Sequence, residues 1–192
     1  MADIERFIPF LILFEAGVDN KRSLTAEELF RKARASGFSC DPDDRGGATM
    51  IGVTLATFSD YRRLRRMAVP DVAALRNISY AEWLDILKTM FWDRWLADSI
   101  RSQPVAEMLV DWVWTSGAYG IREPQRLLGV KADGIVGPKT IAAVNSSDPA
   151  ALFDMLKGAR ISYTERICRS RPANRKFRRG WLRRIEAHGY YG

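Results

Sequence analysis

Asp41-Pro42-Asp43-Asp44-Arg45-Gly46-Gly47-Ala48-Thr49-Met50-Ile51-Gly52-Val53-Thr54 is the one stretch of this chain in which turn formers crowd together and a short extended run follows. Proline presets φ, aspartates bond nearby backbone N–H groups and glycines reach conformations closed to other residues, so the first part reads as a turn. Met50 to Thr54 then reads as a short extended piece. Outside this region apolar residues recur mostly at helical spacing. The chain is therefore expected to be mainly α, with one small irregular or β region.

Upstream, Ile4, Phe7, Ile8, Leu11 and Phe14 mark an amphipathic helix that stops near Gly17 and leaves Glu15 where helix gives way to loop. Thr25 with Glu28 forms a capping box before Leu29, Phe30 and Ala33, with Gly37 as the expected stop. Downstream, Ser79 with Glu82 opens a helix expected to run through Trp83, Leu87, Phe91, Trp92 and Trp95, its aromatics mostly core. Pro104 suits the first turn of a helix that carries Asp111, Trp112 and Trp114 to Ser116-Gly117. Trp112 and Trp114 point in different directions there, so one of them is expected to border a cleft. Gln125 to Gly129 ends a short helix, residues 132–137 turn, and Pro138 begins another helix. From Asp148-Pro149 two more helices follow, broken around Pro172; no repeat of fixed period is present.

A length of 192 residues suits one core, or one core with a satellite, and 47% hydrophobic with 28% charged residues describes a folded chain. Two distant cysteines, Cys40 and Cys168, make neither a metal-binding spacing nor a disulfide scaffold. With His188 the single histidine, a multi-histidine zinc site is unavailable and a Ser/His/Asp triad has one candidate base. No metal and no organic cofactor are expected. The apolar run Phe7 to Phe14 follows Asp3 and Glu5, contains Pro9 and is too short for a bilayer, which takes roughly 20 apolar residues. Cytoplasmic synthesis without a signal peptide, and no membrane insertion, are the expectations. The net charge of +7 sits at one end: Lys157 to Glu186 holds eleven Lys/Arg and two Asp/Glu, a local +9. That end attracts polyanions without choosing among nucleic acid, membrane and cell-wall polymer.

Glycoside hydrolysis needs a proton donor at the leaving oxygen and a second group that stabilises the transition state or activates water. Glu15 beside Phe14, at the end of an apolar helix, has surroundings that favour a protonated carboxyl, and the acidic turn Asp41, Asp43, Asp44 offers the second group. Glu15-Ala16-Gly17-Val18 followed by the 41–54 stretch resembles the glycoside hydrolase family 108 N-acetylmuramidases, which read E-G-G-Y, a proline/aspartate turn, then G-G-x-T-x-aromatic-G-[IV]-T. Asp111 to Gly117 resembles that family's later helix. Gln125-Arg126-Leu127-Leu128-Gly129 with Asp133-Gly134-Ile135-Val136-Gly137-Pro138-Lys139-Thr140, and the closing Phe177-Arg178-Arg179-Gly180-Trp181-Leu182-Arg183-Arg184, resemble its C-terminal peptidoglycan-binding portion.

The resemblance implies a lysozyme-like helical region over residues 1–118, a peptidoglycan-binding-like region over 119–192, and action on the cell wall after release. It implies cleavage of the glycan strand after N-acetylmuramic acid, with Glu15 as the catalytic acid. Substrate contacts are assigned to Asp44, Thr49, Thr54, Asp111 and Trp114, although Asp44 also reads as a turn former and Asp111 as a buried anchor. Residues 133–140 read as a structural loop first. The chain has Ala16, Val18 and Ile51 where the family pattern has glycine, tyrosine and an aromatic; loss of stacking surface motivates a second reading, a peptidoglycan-binding protein with weakened catalysis. A third, a nucleic-acid binder, rests on the basic end alone and has no recognition motif beside it, so no nucleic acid is expected.

Overall fold

The computed structural model describes residues 1–40 and 47–191. The turn expected at residues 41–46 lies outside that range; what flanks it is a small sheet. The first helix, α1 (Ile4–Ala16), buries Phe7, Ile8, Leu11 and Ile12 along the expected stripe. Gly17 closes it at φ +70, its N–H donating to the Leu13 carbonyl at 2.9 Å. Helix α2 (Ala26–Ala33) opens with the Thr25/Glu28 capping box. It ends at Ala33, before Gly37, which is a glycine for a reason other than the expected stop. A Cβ there would lie 2.5 Å from Ile51 Cγ1 and 2.8 Å from the Ala33 carbonyl oxygen, so the chain passes Ile51 with no room for a side chain.

Strands β1 (Phe38–Cys40), β2 (Ala48–Met50) and β3 (Val53–Thr54) form an antiparallel sheet in that order. The β2–β3 hairpin turns on Ile51 and Gly52, both at positive φ, 44° and 75°; that is the handedness that matches strand twist. A β-branched residue in this conformation is strained. Ile51 is held there by complete burial, by its N–H donating to the Gly37 carbonyl at 2.7 Å, and by the Trp83 indole N–H donating to its own carbonyl at 2.9 Å. Since Ile51 has no exposed surface, an aromatic in its place would add to the core, and no sugar-stacking surface is lost at this position.

Two helices absent from the sequence reading follow, α3 (Leu55–Leu64) and α4 (Val72–Arg76). Each starts on a side-chain cap, Thr54 for α3 and Asp71 for α4. Helix α5 (Tyr80–Leu87) has the expected Ser79/Glu82 capping box. It does not run on as a regular helix: Lys88–Trp92 is a π turn and Asp93–Trp95 a 3₁₀ turn. At about 100° per residue, nine residues would set Trp92 on the face opposite Trp83. The change of pitch lets Trp83, Trp92 and Trp95 all be fully buried, and the N–H of the last two is accepted by Asp98 Oδ1 at 2.6 Å and the Gly120 carbonyl at 3.3 Å.

Helix α6 (Gln103–Ser116), with Pro104 in its first turn, is buried from Gln103 through Val113. Then come α7 (Tyr119–Leu127), α8 (Pro138–Ser146), α9 (Pro149–Ser170), a 3₁₀ segment over Pro172–Phe177 and α10 (Arg178–Ala187). Helix α6 packs on α7 and α9, and α9 on α10. Ile4–Met90 forms one compact unit and Met1–Asp3 with Phe91–Gly192 another, so α6 folds with the elements that follow it. Among the described residues no helix is long and apolar enough to cross a membrane. Cys168 is buried and Cys40 exposed.

Candidate active site

Glu15 occupies the last turn of α1 and is half-buried. The Phe10 and Phe14 rings lie 4.8 Å apart on the same helix, so an aromatic pair precedes it. The end of α1 is fastened to the segment entering β1 by Ser36 Oγ, which donates to the Ala16 carbonyl at 2.8 Å. In the sheet, Ser39 pairs with Thr49 and Thr49 with Thr54. Cross-strand partners share a face, so three hydroxyl residues form a row across the sheet, while Met50 and Val53 on the other face are buried. Thr49 and Thr54 are both half-buried. Thr54 also caps α3, its Oγ accepting from the Thr57 N–H at 3.1 Å, and Thr49 Oγ donates to the Gly47 carbonyl at 3.3 Å. Ser39 was not among the sequence candidates, because only the strand register aligns it with the two threonines. Asp44, with Asp41 and Asp43, lies outside the described residues.

Asp111, in the unit that holds Phe91–Gly192, is closed off, with no exposed surface. Arg184 donates to its Oδ1 at 2.7 and 3.0 Å and to its Oδ2 at 3.2 Å, Arg160 pairs with it at 2.7 Å, and His188 Nε2 lies 3.1 Å away. The geometry favours the anchor among the two readings of this residue: it ties α6 to α9, α10 and the segment after α10. Burial by itself would raise the Asp111 carboxyl, but Arg184 and Arg160, with the His188 bond, hold it well below its usual 3.8. Burial pushes the His188 imidazole below its usual 6.5, against the pull of Asp111.

Both shifts fix the same sign. A depressed folded-state value contributes stability that is present above the unfolded-state value and is lost as pH falls through the folded one. The melting temperature is expected to decline in two stages, first below 6.5, as the unfolded chain takes up a proton that buried His188 resists, and again below 3.8, as Asp111 is forced to protonate. Thermal melts across this range check it, and His188→Gln should remove the first stage while leaving the second.

Trp112 is fully buried, whereas Trp114 is half-buried with its ring 4.5 Å from that of Phe91. The loop from Asp133 to Thr140 is organised from within by Gln125, fully buried, whose side-chain oxygen accepts from the Gly134 N–H at 2.8 Å and whose amide donates to the Ile135 carbonyl at 2.9 Å. Gly134 adopts φ +82, and a Cβ there would sit 3.1 Å from Arg122 Nε; Gly137 is not in the left-handed region. Gly134→Ala is expected to cost about 1 kcal/mol or more, read as a lower denaturation midpoint with retention on peptidoglycan unchanged. Unchanged melting with lost retention would make the loop a ligand site.

Residues 32–117 match the family model of glycosyl hydrolase 108, and residues 119–186 match a model described as a predicted peptidoglycan domain. The solved structure of Brucella abortus SagA is similar over 83% of this chain and 90% of that one, at 26% identity and a TM-score of 0.69. Comparison with curated proteins gives no match. The class so defined is a mainly helical, lysozyme-like glycoside hydrolase that acts on peptidoglycan. More particularly, residues 32–117 are similar to glycosyl hydrolase 108 and residues 119–186 to a predicted peptidoglycan domain, the pairing its motifs imply. Glu15 precedes the first matched residue.

Proposed function

We propose that this hydrolase is an N-acetylmuramidase, cutting the glycan strand after N-acetylmuramic acid with Glu15 as general acid. One observation carries the assignment: Ser36, inside the matched segment, holds the Ala16 carbonyl next to Glu15, so the end of α1 is attached to the glycosyl hydrolase domain. A carboxylic acid half-removed from water at a helix end can protonate the leaving oxygen, the step for which such enzymes need an acid. The Ser39, Thr49 and Thr54 row offers hydroxyl partners to sugar hydroxyls, and Asp44 and Trp114 remain assigned to substrate. Residues 119–192 serve to retain the enzyme on the wall. Acid, water and a second carboxylate suffice, so the reading needs no metal or organic cofactor.

Digestion of purified peptidoglycan followed by mass spectrometry of the released fragments tests it. Reducing ends on N-acetylmuramic acid are expected. Reducing ends on N-acetylglucosamine would overturn the bond assignment, and protein that pellets with the wall yet releases no reducing ends would favour the binding-only reading.

A further inference from the structure

Helix α3 ends at Leu64 and helix α4 starts at Val72. Over this stretch the chain leaves large apolar side chains in water: Val69 is 89% exposed, Leu64 66%, Met67 44% and Val72 41%. Single exposed apolar residues are ordinary on a protein surface, but four within nine positions form a patch that calls for a partner. The backbone beneath them is pinned. The Arg66 N–H donates to the Arg63 carbonyl at 3.1 Å and the Met67 N–H to the Arg62 carbonyl at 2.8 Å. Pro70 and Leu75 are buried, and Asp71 caps α4. The root of the stretch is clamped to α5, with Arg62 on Glu82 at 2.7 Å and Arg65 on Asp85 at 2.6 Å. The fold therefore presents these side chains outward from a fixed base.

Cations accompany the apolar tip, since Arg63, Arg65 and Arg66 are all exposed. The first two meet Asp60 and Asp85, whereas Arg66 has no acidic partner among the described residues. Arg66 also holds φ +56 just past the end of α3, a position that favours glycine, so an arginine stands there against the backbone's preference. The acid inside the stretch, Asp71, has its carboxylate engaged by the Ala74 N–H at 2.7 Å. A stable protein interface takes about 20–30 residues a side with matched shapes, far more than this tip supplies. A lipid surface needs no matching shape: apolar side chains enter the acyl boundary while arginine stems lie along it and guanidinium groups meet phosphates. We infer that residues 64–72 dock this protein on an anionic phospholipid bilayer, with Leu64, Met67, Val69 and Val72 entering the boundary and Arg63 and Arg66 meeting headgroup phosphates. This is contact from one side of the bilayer, not a crossing of it. It goes beyond the glycan-cleavage reading and does not depend on it.

The basic end of the chain, with its local +9, also attracts anionic vesicles, so the readout has to belong to the tip. Val69→Cys in a Cys40→Ser chain, where the other cysteine, Cys168, is buried, takes an environment-sensitive nitrobenzoxadiazole label at residue 69. The same label on Ser146→Cys, an exposed position on α8, is the control. With vesicles of equal parts phosphatidylglycerol and phosphatidylcholine, emission from residue 69 is expected to brighten and shift to the blue while that from residue 146 stays unchanged. Leu64→Glu with Met67→Glu should weaken vesicle binding by about tenfold or more. Arg66→Gly should weaken it by about fivefold without lowering the melting temperature, because glycine accepts the positive φ. Emission indifferent to vesicles, an equal response at residue 146, equal binding to pure phosphatidylcholine, or binding unchanged by these exchanges would each overturn the proposal. A blue shift that grows with protein concentration in the absence of vesicles would overturn it too, by assigning the tip to a second copy of the chain. Digestion of lipid-free peptidoglycan should be the same in every variant, which separates this test from that of the muramidase; a fall there would tie the tip to the substrate instead.

Discussion

Glu15→Gln is expected to lower glycan cleavage by about a hundredfold or more while leaving the fold and retention on peptidoglycan nearly intact. Glutamine keeps the size and much of the hydrogen bonding of glutamate but has no acidic proton to give the leaving oxygen, and general acid catalysis is worth about 10² to 10⁴ in rate. The residue lies in the last turn of α1 and is only half-buried, so the exchange leaves the Phe7, Ile8, Leu11 and Ile12 stripe untouched. Rates of fragment release, normalised to folded protein by circular dichroism, give the comparison. Release at the native rate would remove Glu15 from the chemistry and turn attention to Asp43 and Asp44.

The second large effect is structural. Asp111→Asn is expected to destabilise the chain by about 3–5 kcal/mol, the usual cost of removing one partner from a buried ion pair. The cost is high because Arg160 and Arg184, 3% and 8% exposed, would face one another with no carboxylate between them. With total stabilities of about 5–15 kcal/mol, this variant should melt far below the native chain. Arg160→Met, which leaves the Arg184–Asp111 pair in place, should cost less, and the double variant should show strong non-additivity. An Asp111→Asn variant with native melting but a raised KM on peptidoglycan would return Asp111 to the substrate.

What could be read in advance was local. The Thr25/Glu28 and Ser79/Glu82 boxes, Pro104 in its first turn and Gly17 at its stop span a few residues each, and each stands where its pattern implies. Gly37 was misread because its reason is Ile51, fourteen positions on, and a close approach leaves no mark in the neighbouring sequence. The break after Leu87 was missed because a strip of apolar residues looks the same whether the backbone holds its pitch or widens to bury successive tryptophans. The partners of Asp111 lie 49, 73 and 77 residues away. The signal available was a single acidic group on an apolar helix, which implies that a counter-charge exists but not where it is. The proposal of Glu15 as the acid rests on its motif alone, since a glutamate at a helix end is ordinary.

Helix α6 supplies the last part of the glycosyl hydrolase match by sequence, yet its packing partners α7 and α9 belong to the peptidoglycan segment. The seam between the two named segments is therefore a poor place to cut. A fragment ending near residue 118 would carry eleven buried residues of α6, Gln103 through Val113, stripped of the helices that cover them, an apolar surface that promotes association. Transplanting the C-terminal segment onto another enzyme would require taking α6 along, and the donor chain would lose it. Any exchange of parts between relatives has to respect the boundary between the two compact units, which falls before Phe91, rather than the one between the two matched segments.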